Sequence, residues 1–466
     1  MNGTHLNPLD AVWLMMESAD TPMHIGVLAA FRKPRNAPGN WLSNLAAGMR
    51  ESRKPVAPWN YRLAGNFGNP LAPQLVVARN FELDYHFRHS ALPSPGGERE
   101  LGVMLSLLHS NALEQSRPLW EFHLIEGLAR DRFAFYVKVH KSLVDNVNGI
   151  PMILNILSAS ARKRHMAPLW TQPLGQGERA RKADSAGFDL LSGVAAATEA
   201  VSSLGQAVSG FLSSPFKRRD GGSFLVPTGT PRSTLNRRIN SQRRIATQQF
   251  DQKRIERLAA ATDSTLNELL AYLCGSFLRR FFKEYNALPD ESLIAAVPVS
   301  LLEHSERLPG NAIAGIRVAL GTHIGDPLRR LEAVKRSIKN ARRDRASMPE
   351  HAVTPYVMMR AAPIYASQTP VLGQFVPPLF NLAVSNTPGP DKPMYYNGSR
   401  MEAIYPVSPL MQFSALSIDC VNYAGTLNIG FTGARDTLPH LQRMAVYMGN
   451  AVSELEELVL AAEAAR

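Results

Sequence analysis

The chain has 466 residues, too many for one ordinary hydrophobic core, and its length predicts two domains of about 200 residues each. Hydrophobic residues make up 45% and charged residues 19%, which excludes wholesale disorder. The formal net charge is +12, yet no zinc-finger spacing or aromatic-rich ribonucleoprotein motif accompanies it, so a nucleic-acid partner is not expected.

Cys274 and Cys420 both lie in apolar surroundings without CxxC or Cys/His spacing. They read as buried free thiols of a reducing compartment, with no disulfide or metal site. The opening MNGTHLNPLDAVWLMM lacks a basic region followed by an apolar run, so no signal peptide is expected. No window holds about 20 nearly unbroken apolar residues, so no membrane-spanning helix is expected either.

In chain order, residues 23–31, MHIGVLAAF, read as a strand. Residues 99–113 read as a helix whose apolar stripe is Leu101, Met104, Leu105, Leu108 and Leu113. Residues 132–140, RFAFYVKVH, read as a strand that breaks into a loop. Residues 186–214 contain only Asp189 and Glu199 as charges, with apolar residues from Phe188 to Leu212 at helical spacing. This helix either lies on a bilayer or lipid-body surface or packs as a bridging helix or partly ordered linker.

Residues 217–244 then carry eight Lys and Arg against Asp220 alone, a local charge of +7. Such a run either attracts phosphate, as on anionic lipid headgroups, or keeps a solvated linker soluble. Beyond it, residues 264–285 form a helix with a Ser or Thr cap. Residues 293–301, 380–390 and 416–433 are strand-like, the last a hairpin turning at Ala424 and Gly425, and a helix closes the chain near residue 465. Mixed strands and helices with antiparallel signals predict two layered α/β-type domains.

The most informative stretch is FYVKVHKSLVDNVNG, residues 135–149. His140 stands at the strand's end, Lys141 follows it, and Asp145 comes a short turn later. Around this stretch stand LNPLDAVWL, TPMHIGVLAAF and RPLWEFHLIEGL; STLNELL, PVSL, GNAIAGI, SNTPGP and YPVSPLM follow in order. In that combination, over nearly its whole length, the chain resembles bacterial wax ester synthase/diacylglycerol acyltransferases.

The resemblance implies two chloramphenicol-acetyltransferase-like, or condensation-domain-like, domains with the active site in a tunnel between them. It divides the chain into an N-terminal acyltransferase domain at 1–180, a linker at 181–245 and a C-terminal domain at 246–466. The implied reaction moves a fatty acyl group from long-chain acyl-CoA to a long-chain alcohol or to diacylglycerol. Acyl-CoA is then a substrate, and neither a cofactor nor a metal is implied. The implied place is the cytoplasm, peripherally on the inner membrane or on lipid bodies, with an anionic surface as partner.

The family's active-site pattern is His-His-x-x-x-Asp-Gly, with the second His as general base. Here those positions read His140, Lys141, Ser142, Leu143, Val144, Asp145 and Asn146. A base must be neutral before the hydroxyl attacks, as an imidazole of pKa about 6.5 largely is and a lysine of pKa about 10.4 is not. Burial can depress a lysine, but its longer stem places the nitrogen elsewhere, and about 1 Å of misplacement is costly. His140 is a second catalytic candidate that could take over the proton transfer, but strand alternation turns it to the packing side if position 141 faces the tunnel, which favours a hydrogen-bonded structural role. By resemblance Asp145 holds the loop by pairing with a cation, and Asn146 replaces a Gly at a position whose left-handed backbone Asn tolerates.

Four further positions are carried over as substrate-binding candidates. Asn267 and Glu268 match the family's Asn-Asp pair, with helix capping as the equal alternative. Trp120, in PLWE, is either core or an acyl-chain contact, and Asn386, in SNTPGP, lies in a turn near the acceptor tunnel or in a purely structural one. Two functions follow: an acyltransferase impaired at Lys141, or a noncatalytic relative that binds acyl-CoA or lipid at a membrane or lipid-body surface.

Overall fold

The computed structural model describes residues 4–6, 8–65, 73–144, 149–173, 230–298, 315–346, 364, 367–368, 373 and 375–464. Two six-stranded sheets organise them. The first runs Tyr395–Tyr396, Ser399–Val407, His24–Arg32, Arg132–His140, Trp120–Leu128, Phe87–Ala91. The second runs Gly315–Ala319, Ile294–Pro298, Leu382–Thr387, Leu416–Tyr423, Thr426–Ala434, Arg243–Asp251. A small sheet of Thr4–His5, Gln74–Val77 and Tyr61–Leu63 stands beside them.

Strand Arg132–His140 shows why the first sheet is central. Its residues Phe133, Phe135, Val137 and Val139 bury into one core with Leu42, Ala46 and Met49 of helix Trp41–Glu51. Ala134 and Tyr136, on the other face, pack with Leu101 and Leu105 of helix Glu98–Ser110. A strand covered by helices on both faces is apolar along most of its length, as FAFYV, residues 133–137, is here. The second core gathers around helices Leu266–Glu284, Pro327–Ala346 and Leu441–Ala464. Cys274 and Cys420 are buried, free thiols in it.

The second half of the chain lends strands to the first sheet. Ser399–Val407 pairs antiparallel with His24–Arg32, from Arg400 opposite Arg32 to Val407 opposite Gly26. The boundary 246–466 drawn from the sequence puts this strand in the second domain, whereas its pairing puts it in the first sheet. Its Met401 and Ile404 bury in the core under helix Trp41–Glu51, and Ala403 and Tyr405 bury on the opposite face. The two sheets also touch closely at Gly430, where a Cβ would come 2.2 Å from the Pro406 carbonyl oxygen. Only a glycine permits that approach.

The hairpin turns where the sequence places it, with Ala424 at φ 47° and Gly425 at φ 84° between strands Leu416–Tyr423 and Thr426–Ala434. Strand Leu416–Tyr423 matters most for the site. Leu416, Ile418 and Cys420 enter the second core, while Val421 and Tyr423 enter the first. Its odd-numbered side chains therefore face the first half of the chain.

Candidate active site between the two halves

Strand Arg132–His140 ends at His140, which lies opposite His24 in the sheet and whose N–H donates to the Leu119 carbonyl at 2.9 Å. A single 3-10 turn, Lys141–Leu143, follows, with the Lys141 N–H on the Met23 carbonyl at 2.9 Å. Strand alternation stops at this turn, so the opposite-face argument does not carry across from His140 to Lys141. Both side chains are buried.

His140 Nδ1 accepts the Ser142 N–H at 3.2 Å and meets Ser142 Oγ at 2.7 Å. The ring proton therefore resides on Nε2, which stands 3.6 Å from Glu17 Oε2. Burial brings the His140 pKa down to about 4, and the Glu17 charge only partly opposes it. A neutral ring whose lone pair is already engaged does not serve as a base without breaking the Ser142 contacts.

The Lys141 ammonium sits 5.7 Å from the centroid of the Trp13 ring, on helix Pro8–Met16. It also acts electrostatically on Asp419, a residue that sequence reasoning passed over. Asp419 is 2% exposed, on the interface face of strand Leu416–Tyr423. Its Oδ1 accepts from Ser385 Oγ at 2.6 Å and its Oδ2 from Ser417 Oγ at 3.0 Å. Burial raises its pKa, while hydrogen bonds from Ser385, Ser408 and Ser417 and the charge of Lys141 resist the rise. The available signal was an acid in the middle of the apolar strand LSIDCVNY.

The other candidates fall into separate places. Asp145, with Asn146, lies outside the described residues. Asn386 Nδ2 donates to Asn267 Oδ1 at 3.1 Å, joining two positions 119 residues apart. Asn386 shares the parity of Leu382 and Val384, which enter the second core, whereas neighbouring Ser385 turns to Asp419. The Asn pair and the Asp419 group thus occupy opposite faces of one sheet. Glu268 caps its own helix: Oε2 accepts the Thr265 N–H at 2.8 Å and Thr265 Oγ1 at 2.9 Å. Trp120 is fully buried, its Nε1 donating to the Trp59 carbonyl at 2.8 Å and its ring stacked on His86 and Trp170 at 4.6 and 5.7 Å.

Residues 6–270 match the family model of the wax ester synthase/diacylglycerol acyltransferase catalytic domain, and residues 309–456 match that of the WS/DGAT C-terminal domain. The chain belongs to this family. A putative diacylglycerol O-acyltransferase of Mycobacterium tuberculosis is 39% identical, covering 97% of this chain and 96% of that protein. O-acyltransferase WSD of Acinetobacter baylyi is 32% identical, covering 97% of each. The solved wax ester synthase/diacylglycerol acyltransferase from Marinobacter aquaeolei VT8 superposes with a TM-score of 0.80 at 32% identity, covering 98% of this chain and 99% of that one. The first condensation domain of the calcium-dependent antibiotic synthetase, at 14% identity and a TM-score of 0.51 over 98% and 96% of the two chains, shares the fold alone. The architecture is thus the paired condensation-domain-like one that the resemblance implied.

Within this family fold, a line of buried histidines links the two halves beside Lys141. His24 Nε2 lies 2.9 Å from the His109 carbonyl, His109 Nδ1 lies 2.7 Å from Tyr136 Oη, and His109 Nε2 reaches the Ser408 carbonyl at 3.3 Å. Burial lowers His109 to about 3, helped by the charge of Arg243, and burial brings His86 to about 4. These rings are neutral when folded and titrate near 6.5 when unfolded, so below pH 6.5 the unfolded chain takes up the protons. Their contribution to stability is complete above that pH and is lost as pH falls towards 4. Urea unfolding should therefore show stability dropping from about pH 6.5 downward, by at most about 1.4 kcal/mol per pH unit for each histidine. A flat profile between about pH 6.5 and 4.5 would contradict the neutral assignment.

Among the described residues, no cluster of three His, Cys, Asp or Glu side chains is arranged to hold a metal ion, and no helix is long and apolar enough to cross a membrane. The basic run changes character on folding. Residues 186–214, and the run's residues 217–229, lie outside the described residues. Arg243 is 2% exposed and donates to the Asp20 carbonyl at 3.1 Å, so it belongs to the contact between the halves and not to a surface anchor. Arg237 and Arg238 remain exposed.

Proposed function

We propose that this protein is an acyl-CoA-dependent O-acyltransferase, joining a fatty acyl group to a long-chain alcohol or to diacylglycerol, and that Lys141 slows it. The observation that carries this reading is the place of Lys141: buried, on the loop after strand Arg132–His140, where the family pattern has its base. In the reaction the acceptor oxygen bonds to the thioester carbonyl carbon, the C–S bond breaks, the hydroxyl proton leaves for a base, and coenzyme A departs as the thiol. An ammonium cannot take that proton, and the His140 lone pair is held by Ser142. The slow step is therefore proton removal.

A second reading, a noncatalytic protein that binds acyl-CoA or lipid at an anionic membrane or lipid-body surface, draws on the same two facts about Lys141 and His140. Exposed Arg237 and Arg238 would serve such a surface. Binding and turnover separate the readings. Titration calorimetry with palmitoyl-CoA should show saturable binding at tens of micromolar or below, and shorter acyl chains should bind more weakly by about 0.8 kcal/mol for each methylene lost. Release of free thiol on adding hexadecanol or diacylglycerol, slow but above the uncatalysed rate, supports the transferase. Binding without any thiol release supports the second reading, and no binding at all removes both.

A further inference from the structure

We infer that Ser142 is a nucleophile, paired with His140 and Glu17, which takes the acyl group from acyl-CoA as a covalent ester before the acceptor reacts. This deepens the reading above and rests on it for acyl-CoA as the donor. Ser142 Oγ stands 2.7 Å from His140 Nδ1, and His140 Nε2 stands 3.6 Å from Glu17 Oε2. The Ser142 N–H can only donate, so Nδ1 is an acceptor and the Oγ hydroxyl must donate to it as well. The remaining ring proton, on Nε2, points to the carboxylate. Serine, imidazole and acid thus stand in the order that nucleophilic acyl transfer uses, a constellation recognised by geometry and roles and not by sequence position.

A turn cap alone does not account for the arrangement. A cap needs only the Ser142 N–H, at 3.2 Å, whereas the hydroxyl contact is the shorter one and the acid comes from just after helix Pro8–Met16. Glu17 is itself held in place, its Oε1 accepting the Met23 N–H at 3.1 Å and its Oε2 accepting from Gln115 Nε2 at 2.8 Å. His140 shares the strand face of Ala134 and Tyr136, which pack with Ile245 of the second half, so the ring looks towards the contact between the halves. Burial keeps the ring unprotonated, at about pKa 4, and ready to accept a proton at neutral pH.

The steps balance without Lys141. Ser142 Oγ bonds to the thioester carbonyl carbon as its proton passes to His140 Nδ1. The C–S bond breaks, and coenzyme A leaves as the thiol with that proton. An acylated Ser142 has no hydroxyl to donate, so the Nδ1 lone pair that the free serine occupies is released. It then takes the acceptor's hydroxyl proton while the acceptor oxygen displaces Ser142 Oγ, which recovers the proton. His140 and Ser142 touch the reacting atoms, and Glu17 is a positioning residue that favours the imidazolium formed in each step.

The test mixes the full chain with palmitoyl-CoA and no acceptor, quenches in acid, and reads intact mass and mapped peptides, with calorimetry on the same protein. One palmitoyl group per chain should appear on Ser142 with an equal burst of free thiol. Neutral hydroxylamine, which cleaves thioesters and spares serine esters, should leave it in place and so exclude Cys274 and Cys420. Ser142→Ala should bind palmitoyl-CoA without forming the adduct, and Ser142→Cys should form one that hydroxylamine removes. Glu17→Gln keeps an acceptor for the Met23 N–H but loses the charge, and should slow adduct formation at least about tenfold at unchanged palmitoyl-CoA affinity. Binding without an adduct overturns the inference and leaves the transferase reading standing, as does an adduct undiminished in Ser142→Ala. Should Ser142→Ala not accumulate as folded protein, Ser142→Cys decides: a hydroxylamine-labile adduct supports the inference and a resistant one overturns it. An adduct that hexadecanol and diacylglycerol fail to clear supports the nucleophile and removes the transferase reading. No binding at all removes both.

Discussion

Replacing Lys141 by histidine should raise acyltransferase activity at least tenfold. A positioned general base contributes about 10²–10⁴-fold, and the variant recreates the family's His-His-x-x-x-Asp pattern on a loop already built for it. The gain should fall short of the full range because Asn146 still occupies the Gly position. Lys141→Ala should leave the starting activity nearly unchanged, because an ammonium was accepting no proton. Thiol-release assays with palmitoyl-CoA and hexadecanol measure both. If the parent is fully active and Lys141→Ala abolishes turnover, lysine is the working base and proton removal is not what slows the parent. If Lys141→His gains nothing while palmitoyl-CoA still binds, the lipid-binding reading takes over.

The largest loss of stability is expected from Lys138→Met. Lys138 Nζ lies 3.1 Å from Glu121 Oε2 and donates to the Leu108 and Asn111 carbonyls at 3.0 and 2.9 Å. Both side chains are buried, at 1% and 8% exposure, and His123 Nε2 meets the same carboxylate oxygen at 3.1 Å. Burial alone would raise the Glu121 pKa, but the His123 hydrogen bond and the Lys138 charge outweigh it and hold the carboxyl at about 2. Methionine preserves the stem's volume and removes the cation. Glu121 is then a buried charge without its main partner, and about 3–5 kcal/mol of unfolding free energy should go.

The sign with pH follows from the depressed value. The Glu121 contribution is present above its unfolded pKa of 4.5 and is lost as pH falls towards 2, so the parent should weaken along this acid range more steeply than Lys138→Met does. Adding Glu121→Gln to Lys138→Met should recover a good part of the loss at neutral pH, since a neutral amide removes the orphaned charge. Urea unfolding of the parent and the two variants checks this, and a Lys138→Met loss below about 1 kcal/mol would mean that water or relaxation replaces the ammonium.

Much of the architecture was legible residue by residue. RFAFYVKVH read as a strand, and the observed strand is Arg132–His140. The Ser or Thr cap before residues 267–268 marked a helix start, and Thr265 is its N-cap. Ala424 and Gly425 marked a turn that the backbone makes with positive φ at both residues. The family followed from phrases in order along the chain, and the departure at Lys141 needed no structure at all. These features share one cause. Each is written in neighbouring residues, through side-chain period, cap chemistry or turn conformation, and needs no knowledge of what packs against it.

What only the tertiary structure decided is which distant residues meet. Ser399–Val407 is an ordinary strand by its residues, and nothing local assigns it to His24–Arg32, some 370 positions away in the Arg32–Glu402 contact. Asn267 and Asn386 were each recognised alone, and their hydrogen bond depends on the helix and the strand end arriving together. Asp419 was passed over in the sequence, and only the alternation of Leu416–Tyr423 shows it turned towards the first half, with Ser385 and Ser417 on its carboxylate. Local periodicity says which face of a strand is buried but not what buries it, because the partner is chosen by register and by packing across the whole chain.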